Sequence, residues 1–290
     1  MVFSSPVSLR SLLLAAALAG PLPPAQAADL VLGIQPVLSP ERTVEVYAPL
    51  ADYLGERTGH TVHIEPSRNF YSYWTRMNRG EFDLALDAAH FTGYRIRKLG
   101  YEVLAALPDT VSYTLVSAGD NLIFSSDELV GKPVATMGPP SLGAIRLEQL
   151  YDNPMREPLF RTTNTAEESV EMVLRGEAVA AMVPTPLVSE YPNLNTIQVT
   201  APTPHLAFSA GDRVPLNVRV ALRTTLIGMS KDERGREILS QARLAGFVPT
   251  DAETYAAFSG LLEHSRVSLH SEKREWNANT TDVALAAPAK

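Results

Sequence analysis

Ser141-Leu142-Gly143 is the segment whose residue types are best suited to holding an anion. It lies between a predicted strand and a predicted helix, where Gly143 lets the backbone approach a ligand closely. The first N–H groups of that helix lack partners within it and carry the positive end of its dipole. The segment therefore predicts a site for a small oxyanion, held without Lys or Arg. The alternative is that Ser141 only caps its helix.

Other candidate ligand contacts follow from the rule that α/β proteins bind ligands beyond the carboxyl ends of their strands. His90 is expected to donate a hydrogen bond to an oxyanion, or else to cap a helix. Tyr71 lies in an aromatic segment of which one ring must pack in the core and another can line a cleft. Gln35 and Thr185 follow further predicted strands, although loop residues of these types are often only solvated.

Catalytic and metal sites have no support in the sequence, which contains no G-x-S-x-G, H-E-x-x-H or glycine-rich phosphate-loop motif. The six histidines show no metal-ligand spacing with carboxylates. Asp83 and Asp87 lie on a strand and at its end, which does not favour a catalytic pair. We therefore expect no enzyme activity, no metal and no cofactor.

The composition restricts the possible partners. The 290-residue chain carries a net charge of −7 and has no cluster of basic residues, which argues against nucleic acid and anionic membranes. The absence of cysteine excludes disulfides, thiolate metal sites and a lipid-anchored cysteine. The chain is expected to be a monomer that binds a small ligand.

Residues 1–27 have the pattern of a secretory signal peptide. Arg10 supplies the positive charge, an apolar run over 12–19 follows, and Ala25-Gln26-Ala27 forms a cleavage site. The run is too short to span a bilayer. Cleavage near Ala27 would release a periplasmic protein and, with Arg10 lost, change the net charge from −7 to −8.

A repeated segment organises the predicted fold. Arg79-Gly80-Glu81 and Arg175-Gly176-Glu177 each follow a helical pattern and precede an apolar run of strand length, at 82–86 and 178–182. Glycine is the usual residue just after a helix, because it adopts the left-handed conformation without steric cost. The offset, from position 79 to position 175, is about the size of one lobe. The repeat therefore predicts two similar α/β lobes.

Alternation of strands with helices predicts a mainly parallel sheet in each lobe, flanked by helices. Lobe 1 is expected to cover 28–110, and lobe 2 to cover 111–204. The chain is then expected to return to lobe 1 over 205–265. The two crossings, near Val111 and Ala201, are predicted to form a hinge. Residues 266–290 lack periodicity and predict a flexible tail.

The sequence resembles the periplasmic phosphate/phosphite/phosphonate-binding proteins of ABC importers over about 30–262. The resemblance rests on the segments 32–36, 47–54 and 80–85, on Ser141-Leu142-Gly143, and on Gly176-Glu177. It implies a type II periplasmic binding fold that closes around a phosphonate-, phosphite- or phosphate-like anion and delivers it to a membrane permease. It also implies that Tyr71, His90, Ser141 and Gly143 are pocket residues.

The sequence departs from the family pattern after the second glycine unit. There it reads Met182-Val183-Pro184-Thr185-Pro186, where phosphonate binders have an acidic residue that holds the ligand's amine. Two further hypotheses stay open. The protein could sense a ligand for a membrane histidine kinase, or it could be a periplasmic hydrolase that uses Ser141 and His90.

Overall fold

The structure, a computed structural model, describes residues 29–265. The predicted signal peptide and the predicted tail 266–290 lie outside these residues. Within 29–265, no helix is both long and apolar enough to cross a membrane.

The described chain alternates strands and helices, as predicted. The strands are β1 (Asp29–Ile34), β2 (Thr61–Ile64), β3 (Leu84–Asp87), β4 (Glu102–Ala106), β5 (Thr110–Val111), β6 (Tyr113–Ala118), β7 (Pro133–Met137), β8 (Leu159–Thr163), β9 (Ala180–Pro184), β10 (Leu194–Val199), β11 (Thr203–Pro204) and β12 (Ala207–Ala210). The helices are α1 (Pro40–Thr58), α2 (Phe70–Asn78), α3 (Ala89–Lys98), α4 (Leu142–Glu148), α5 (Ala166–Leu174), α6 (Thr185–Val188), α7 (Leu216–Gly228), α8 (Glu233–Gln241), α9 (Ala252–Ala256) and α10 (Ser259–Glu263).

Two five-stranded sheets form the two lobes. The first sheet has the order β2-β1-β3-β12-β4 and the second the order β10-β6-β9-β7-β8. In the first sheet only β12 runs against its neighbours, and in the second only β6 does. Both sheets are therefore mainly parallel, and the carboxyl ends of most strands in each lie at one edge.

The chain passes between the sheets twice. The first crossing joins β4 to β6 through β5, and the second joins β10 to β12 through β11. The two short strands pair with each other, with Thr203 opposite Val111. This pairing places the crossings side by side. The residue limits of the lobes and the hinge remain a proposal.

The repeated helix–glycine–strand unit is present in both lobes. Gly80 follows α2 with a φ of 68°, and Gly176 follows α5 with a φ of 72°. Asn69 caps α2 by accepting a hydrogen bond from Ser72 N, and Thr165 caps α5 by accepting one from Glu168 N. Strands β3 and β9 then occupy equivalent places, because each is the middle strand of its sheet and pairs in parallel with one neighbour, β1 or β7. The strands begin two residues later than predicted.

Three regions of the described chain differ from what local sequence patterns indicate. Proline often interrupts a helix, but α1 continues through Pro49, and its buried face, which includes Tyr47 and Leu50, spans the proline. Residues 251–263 form two short helices, α9 and α10, and not one longer helix. Edge strand β8 was not predicted, since most of it is exposed and it lacks a long apolar run.

Helix α3 is held closely against the C-terminal helices. A Cβ atom on Gly93 would lie 2.4 Å from the carbonyl oxygen of Tyr255 and 2.8 Å from Ser259 N. The glycine thus allows backbone to approach backbone where α3 meets α9 and α10. Beyond α10, Ser265 Oγ donates a hydrogen bond of 2.9 Å to Glu148 Oε2 of the second lobe.

Candidate ligand-binding cleft

A cavity of about 300 Å³ lies between the two lobes, at the carboxyl ends of strands from both sheets. Segments after β1 and β3 form the first-lobe wall, and the ends of β7 and β9 with the start of α5 form the second-lobe wall. The two crossings close one side. The lining residues are Gln35, Val37, Leu38, Ala88, Val111, Tyr113, Met137, Ala166, Glu167, Pro184, Pro186, Leu187, Glu190, His205 and Leu206.

The walls of this cleft are mainly apolar. Val37 of the first lobe belongs to the same packed cluster as Met137, Ala166 and Leu187 of the second. On the crossing side, Val111 packs in a cluster with Tyr113. A ligand in the cleft would therefore contact hydrocarbon from both lobes.

Gln35 is the predicted site residue that lines the cavity. Its side chain is almost buried, and Oε1 accepts a hydrogen bond of 3.0 Å from Ala88 N. This bond fixes the amide orientation, which leaves the NH₂ group as the part that can donate to a ligand. The position at the end of β1 is the one that the strand-end rule selects.

His205 lines the cavity at the second crossing, although no sequence pattern points to a functional role for it. Its Nδ1 is buried and has no hydrogen-bond partner among residues 29–265. Burial lowers the pKa of His205, against the opposing effect of Asp109. The imidazole is therefore expected to be neutral, with an unpaired nitrogen in the cleft wall.

Tyr113 and Arg146 form a second group that sequence reasoning missed. Burial raises the pKa of Tyr113 to about 12, while Arg146 acts in the opposite direction. Arg146 is half-buried, and its Nη1 donates to Gln149 Oε1 at 2.8 Å. Its Nε is buried and has no partner in the part of the chain that the structure describes. Burial lowers the pKa of this guanidinium, and Tyr113 opposes the shift. Within 29–265 it makes no ion pair with a carboxylate, so its charge is uncompensated.

Ser141 caps α4. Its Oγ donates to the carbonyl oxygen of Met137 at 2.7 Å and accepts from Ala144 N at 3.2 Å, and its side chain is fully buried. Both bonds are internal to the second lobe. A contact between Ser141 and a ligand stays a prediction.

Gly143 lets α4 pack closely on the second sheet. A Cβ atom there would lie 3.1 Å from Thr136 Oγ1 and 3.1 Å from Tyr113 Cε1. Thr136 is itself buried, and its hydroxyl has no hydrogen-bond partner between residues 29 and 265. The glycine therefore lets α4, which carries Arg146 one turn later, pack against Tyr113 in the cleft wall.

His90 joins the two lobes. Its Nε2 lies 3.1 Å from the carbonyl oxygen of Pro140, so Nε2 must carry the proton and donate. Nδ1 is then an acceptor that is buried and has no partner within the described residues. Burial lowers the pKa of His90 to about 3, the bond to Pro140 opposes the shift, and Arg146 adds to it. The ring is neutral, and its contact with an anion stays a prediction.

Neither Thr185 nor Tyr71 is among the described residues that line the cavity. Thr185 Oγ1 is within 2.8 Å of Ser112 Oγ and 2.9 Å of Thr114 Oγ1, on the opposite face of β6 from Tyr113. Tyr71 is half-buried in the first turn of α2. Three neighbouring rings, at positions 70, 73 and 74, are core residues, as expected for this segment.

Replacing Ser141 with alanine should lower the free energy of unfolding by about 1–2 kcal/mol, because Met137 O and Ala144 N both lose a buried partner. Urea denaturation measures this change. Ser39 caps α1 at an exposed site, so Ser39→Ala is the matched control and should have a smaller effect. Equal losses in the two variants would contradict the buried double role of Ser141.

No group of three or more histidine or acidic side chains within 29–265 could hold a metal ion. Two acidic residues that line the cleft, Glu167 and Glu190, were not singled out by the sequence, and both are exposed. The start of α5 could have indicated Glu167, because Thr165 is a recognisable helix cap. Arg146 had no comparable signal, since its environment depends on how α4 packs.

The structure resembles solved binding proteins at low sequence identity. A Prochlorococcus marinus protein in complex with methylphosphonate has a TM-score of 0.70 at 12% identity, with 81% of this chain and 97% of that chain covered. The binding protein component of an ABC phosphonate transporter from Pseudomonas aeruginosa has a TM-score of 0.68 at 14% identity, covering 90% and 96%. A Xanthomonas citri protein bound to ATP has a TM-score of 0.68 at 15% identity, covering 84% and 98%.

These structural matches establish the two-lobed type II fold. No curated protein sequence matches the chain. The family model for the periplasmic substrate-binding protein of phosphonate ABC transporters matches residues 32–255, which is most of the sequence. The chain therefore belongs to the family of periplasmic substrate-binding proteins of phosphonate ABC transporters.

Proposed function

We propose that this protein captures a phosphonate-type oxyanion between its lobes and delivers it to an ABC permease. The supporting observation is the cavity at the carboxyl edges of both sheets, where this fold class binds its ligands. Members of the family bind substrates and are not enzymes. Family membership therefore argues against the hydrolase hypothesis.

The charge of the anion needs a counter-charge, and Arg146 is the side chain proposed to supply it. Among residues 29–265, those that line the cavity include no Lys or Arg. Arg146 is a half-buried cation that forms no ion pair with a carboxylate of the described chain, and its charge influences the pKa of both Tyr113 and His90. A guanidinium binds phosphonate oxygens with charge-assisted hydrogen bonds, which are stronger than neutral ones.

The remaining contacts are proposed from position. Gln35 has its NH₂ group to donate, and Tyr113 contributes a hydroxyl from the cleft wall. Tyr71, His90, Ser141, Gly143 and Thr185 remain proposed site residues from the family resemblance. Binding would close the lobes about the paired strands β5 and β11, and the permease would recognise the closed form.

Export to the periplasm fits the family, and cleavage of residues 1–27 as a leader is part of the proposal. Capture by the mature protein and delivery can be separated by experiment. Permease in liposomes should hydrolyse ATP faster with the ligand-loaded protein than with the ligand-free protein. Binding without this stimulation would support capture and reject delivery.

Thermal unfolding should identify the ligand class. A ligand at 100 times its Kd stabilises the folded state by about 2.7 kcal/mol, which raises Tm by roughly 5–10 °C for a protein of this size. We expect a rise with a phosphonate and none with sulfate or with a carboxylate of equal size. No rise with any phosphorus oxyanion would reject the proposed ligand class.

Arg146→Gln should weaken phosphonate binding by about 10- to 100-fold, because a charge-assisted hydrogen bond contributes about 1.5–3 kcal/mol. Isothermal titration calorimetry measures the affinity. Arg161→Gln, at an exposed position on β8, is the matched control and should bind as the wild type does. Equal affinities for the Arg146 variant and the wild type would show that Arg146 does not contribute to ligand binding.

A further inference from the structure

The cleft is larger and less polar than a small oxyanion needs. Its volume is about 300 Å³, at the lower end of the range for pockets that hold organic ligands. Methylphosphonate fills roughly 90 Å³, about three times the share of one water molecule in the liquid. Most of the cavity would remain beside the anion.

The space beside the anion is bounded by hydrocarbon. Val37 and Leu38 contribute to it from the first lobe, Met137 and Leu187 from the second, and Val111 from the crossing. Met137 and Leu187 are buried, so they form a fixed wall. Water in contact with these side chains would be released by an apolar group of matching size.

Resting on the proposed function, we propose that the ligand is a phosphonate whose phosphorus carries an apolar substituent of several carbons. The anionic end would lie towards Tyr113 and Arg146, and the substituent against Val37, Met137 and Leu187. Alkyl and arylphosphonates have this chemistry. Inorganic phosphate, phosphite and methylphosphonate leave the apolar wall uncovered.

The two carboxylates of the cleft argue against charged substituents. Glu167 and Glu190 line the cavity and would repel a second anionic group on the ligand. A ligand ammonium could pair with them, but both side chains are exposed, and exposed ion pairs contribute little. An ammonium in the apolar part of the cleft would also lose its hydration without a buried partner. An uncharged apolar substituent fits the wall better.

Calorimetric titration with phosphonates of increasing chain length tests the proposal. Each methylene that leaves water should tighten Kd about fourfold, so that butylphosphonate binds roughly 60-fold more tightly than methylphosphonate. The heat capacity change on binding should become more negative along the series. Methylphosphonate or 2-aminoethylphosphonate binding as tightly as propylphosphonate would overturn the proposal.

Polar substitutions in the wall provide the second test. Val37→Thr and Val111→Thr keep the side-chain shape and add a hydroxyl, so the dependence of Kd on chain length should weaken in the double variant. Leu216→Ala removes an exposed side chain on α7, outside the cleft, and should leave that dependence unchanged. Identical chain-length series in the double variant and the wild type would overturn the assignment of the wall.

The same experiment separates this proposal from the proposed function. Alkyl carboxylates of matching lengths are titrated beside the phosphonates. If no phosphonate binds but carboxylate affinity rises with chain length, the phosphorus assignment fails and the apolar wall is supported. If neither series binds more tightly as the chain grows, the inference of an apolar substituent is wrong.

Discussion

Asp87→Asn should lower the free energy of unfolding by about 3–5 kcal/mol, which is the usual cost of breaking a buried ion pair by removing one partner. Asp87 and Arg95 are both fully buried, and Arg95 Nε donates to Asp87 Oδ2 at 2.9 Å. The variant would leave the guanidinium buried and without its counter-charge. Urea denaturation at neutral pH measures the loss.

The carboxylate of Asp87 accepts more hydrogen bonds than an amide can. Tyr73 Oη donates to Oδ2 at 2.8 Å, and Thr92 Oγ1 donates to Oδ1 at 2.7 Å. Arg95 Nη2 also donates to Tyr73 Oη at 3.0 Å, so the four side chains form one network. The NH₂ group of an asparagine would face some of these donors and could not accept their hydrogen bonds. This mismatch would lower the free energy of unfolding further.

The position of the network explains its relevance to the site. Asp87 ends β3, Thr92 and Arg95 lie on α3, and Tyr73 lies on α2. The network therefore fixes α3, which carries His90, to the sheet. Its loss should loosen the first-lobe side of the cleft as well as destabilise the fold.

Two further variants make the Asp87 prediction testable even if Asp87→Asn folds poorly. Thr92→Val removes one hydrogen bond to the carboxylate and should cost about 1–2 kcal/mol. Glu56→Gln breaks the exposed ion pair with Arg234 and should leave the urea midpoint nearly unchanged. A midpoint for Asp87→Asn close to that of Glu56→Gln would refute the structural role of the network.

The sequence predicted the repeated part of the fold because local rules determine it. Gly80 and Gly176 each follow a capped helix, and both adopt the left-handed conformation that their position required. The apolar runs after them became β3 and β9. The spacing of apolar residues, the helix caps and the glycines after helices are each determined by residues close together in the chain. They can therefore be recognised from the sequence alone.

The environments of the cleft residues depend on contacts between segments that are far apart in the chain. Such contacts cannot be recognised from the sequence alone. The sequence indicated that Asp87 lies at the end of a strand, but it did not indicate the buried partner Arg95. Arg146 resembles any helix arginine until α4 is packed against Tyr113. The apolar walls combine residues of both lobes.

A second large effect is expected from pH, through His90. The unfolded state binds a proton on this histidine near pH 6.5, whereas burial lowers the pKa in the folded state to about 3. Between these values the unfolded state binds more protons, so stability falls as pH falls, by about 1.4 kcal/mol per pH unit. From pH 7.5 to pH 5.0 the contribution of His90 is a loss of about 2 kcal/mol.

His90→Gln should remove that contribution. Glutamine keeps an N–H that can donate to Pro140 O, but it does not titrate. The difference in unfolding free energy between wild type and variant should therefore change by about 2 kcal/mol between pH 7.5 and pH 5.0, in favour of the variant at the lower pH. Urea denaturation at several pH values measures both curves.

Ser141→Ala is the control for the pH experiment, because it weakens the same region of the second lobe without changing a titratable group. Its stability should lie below that of the wild type by the same amount at every pH. A His90→Gln curve that also ran parallel to the wild type would show that His90 takes up a proton equally in both states. That result would contradict the buried, neutral ring at the contact between His90 and Pro140, since burial is what keeps the second proton off Nδ1.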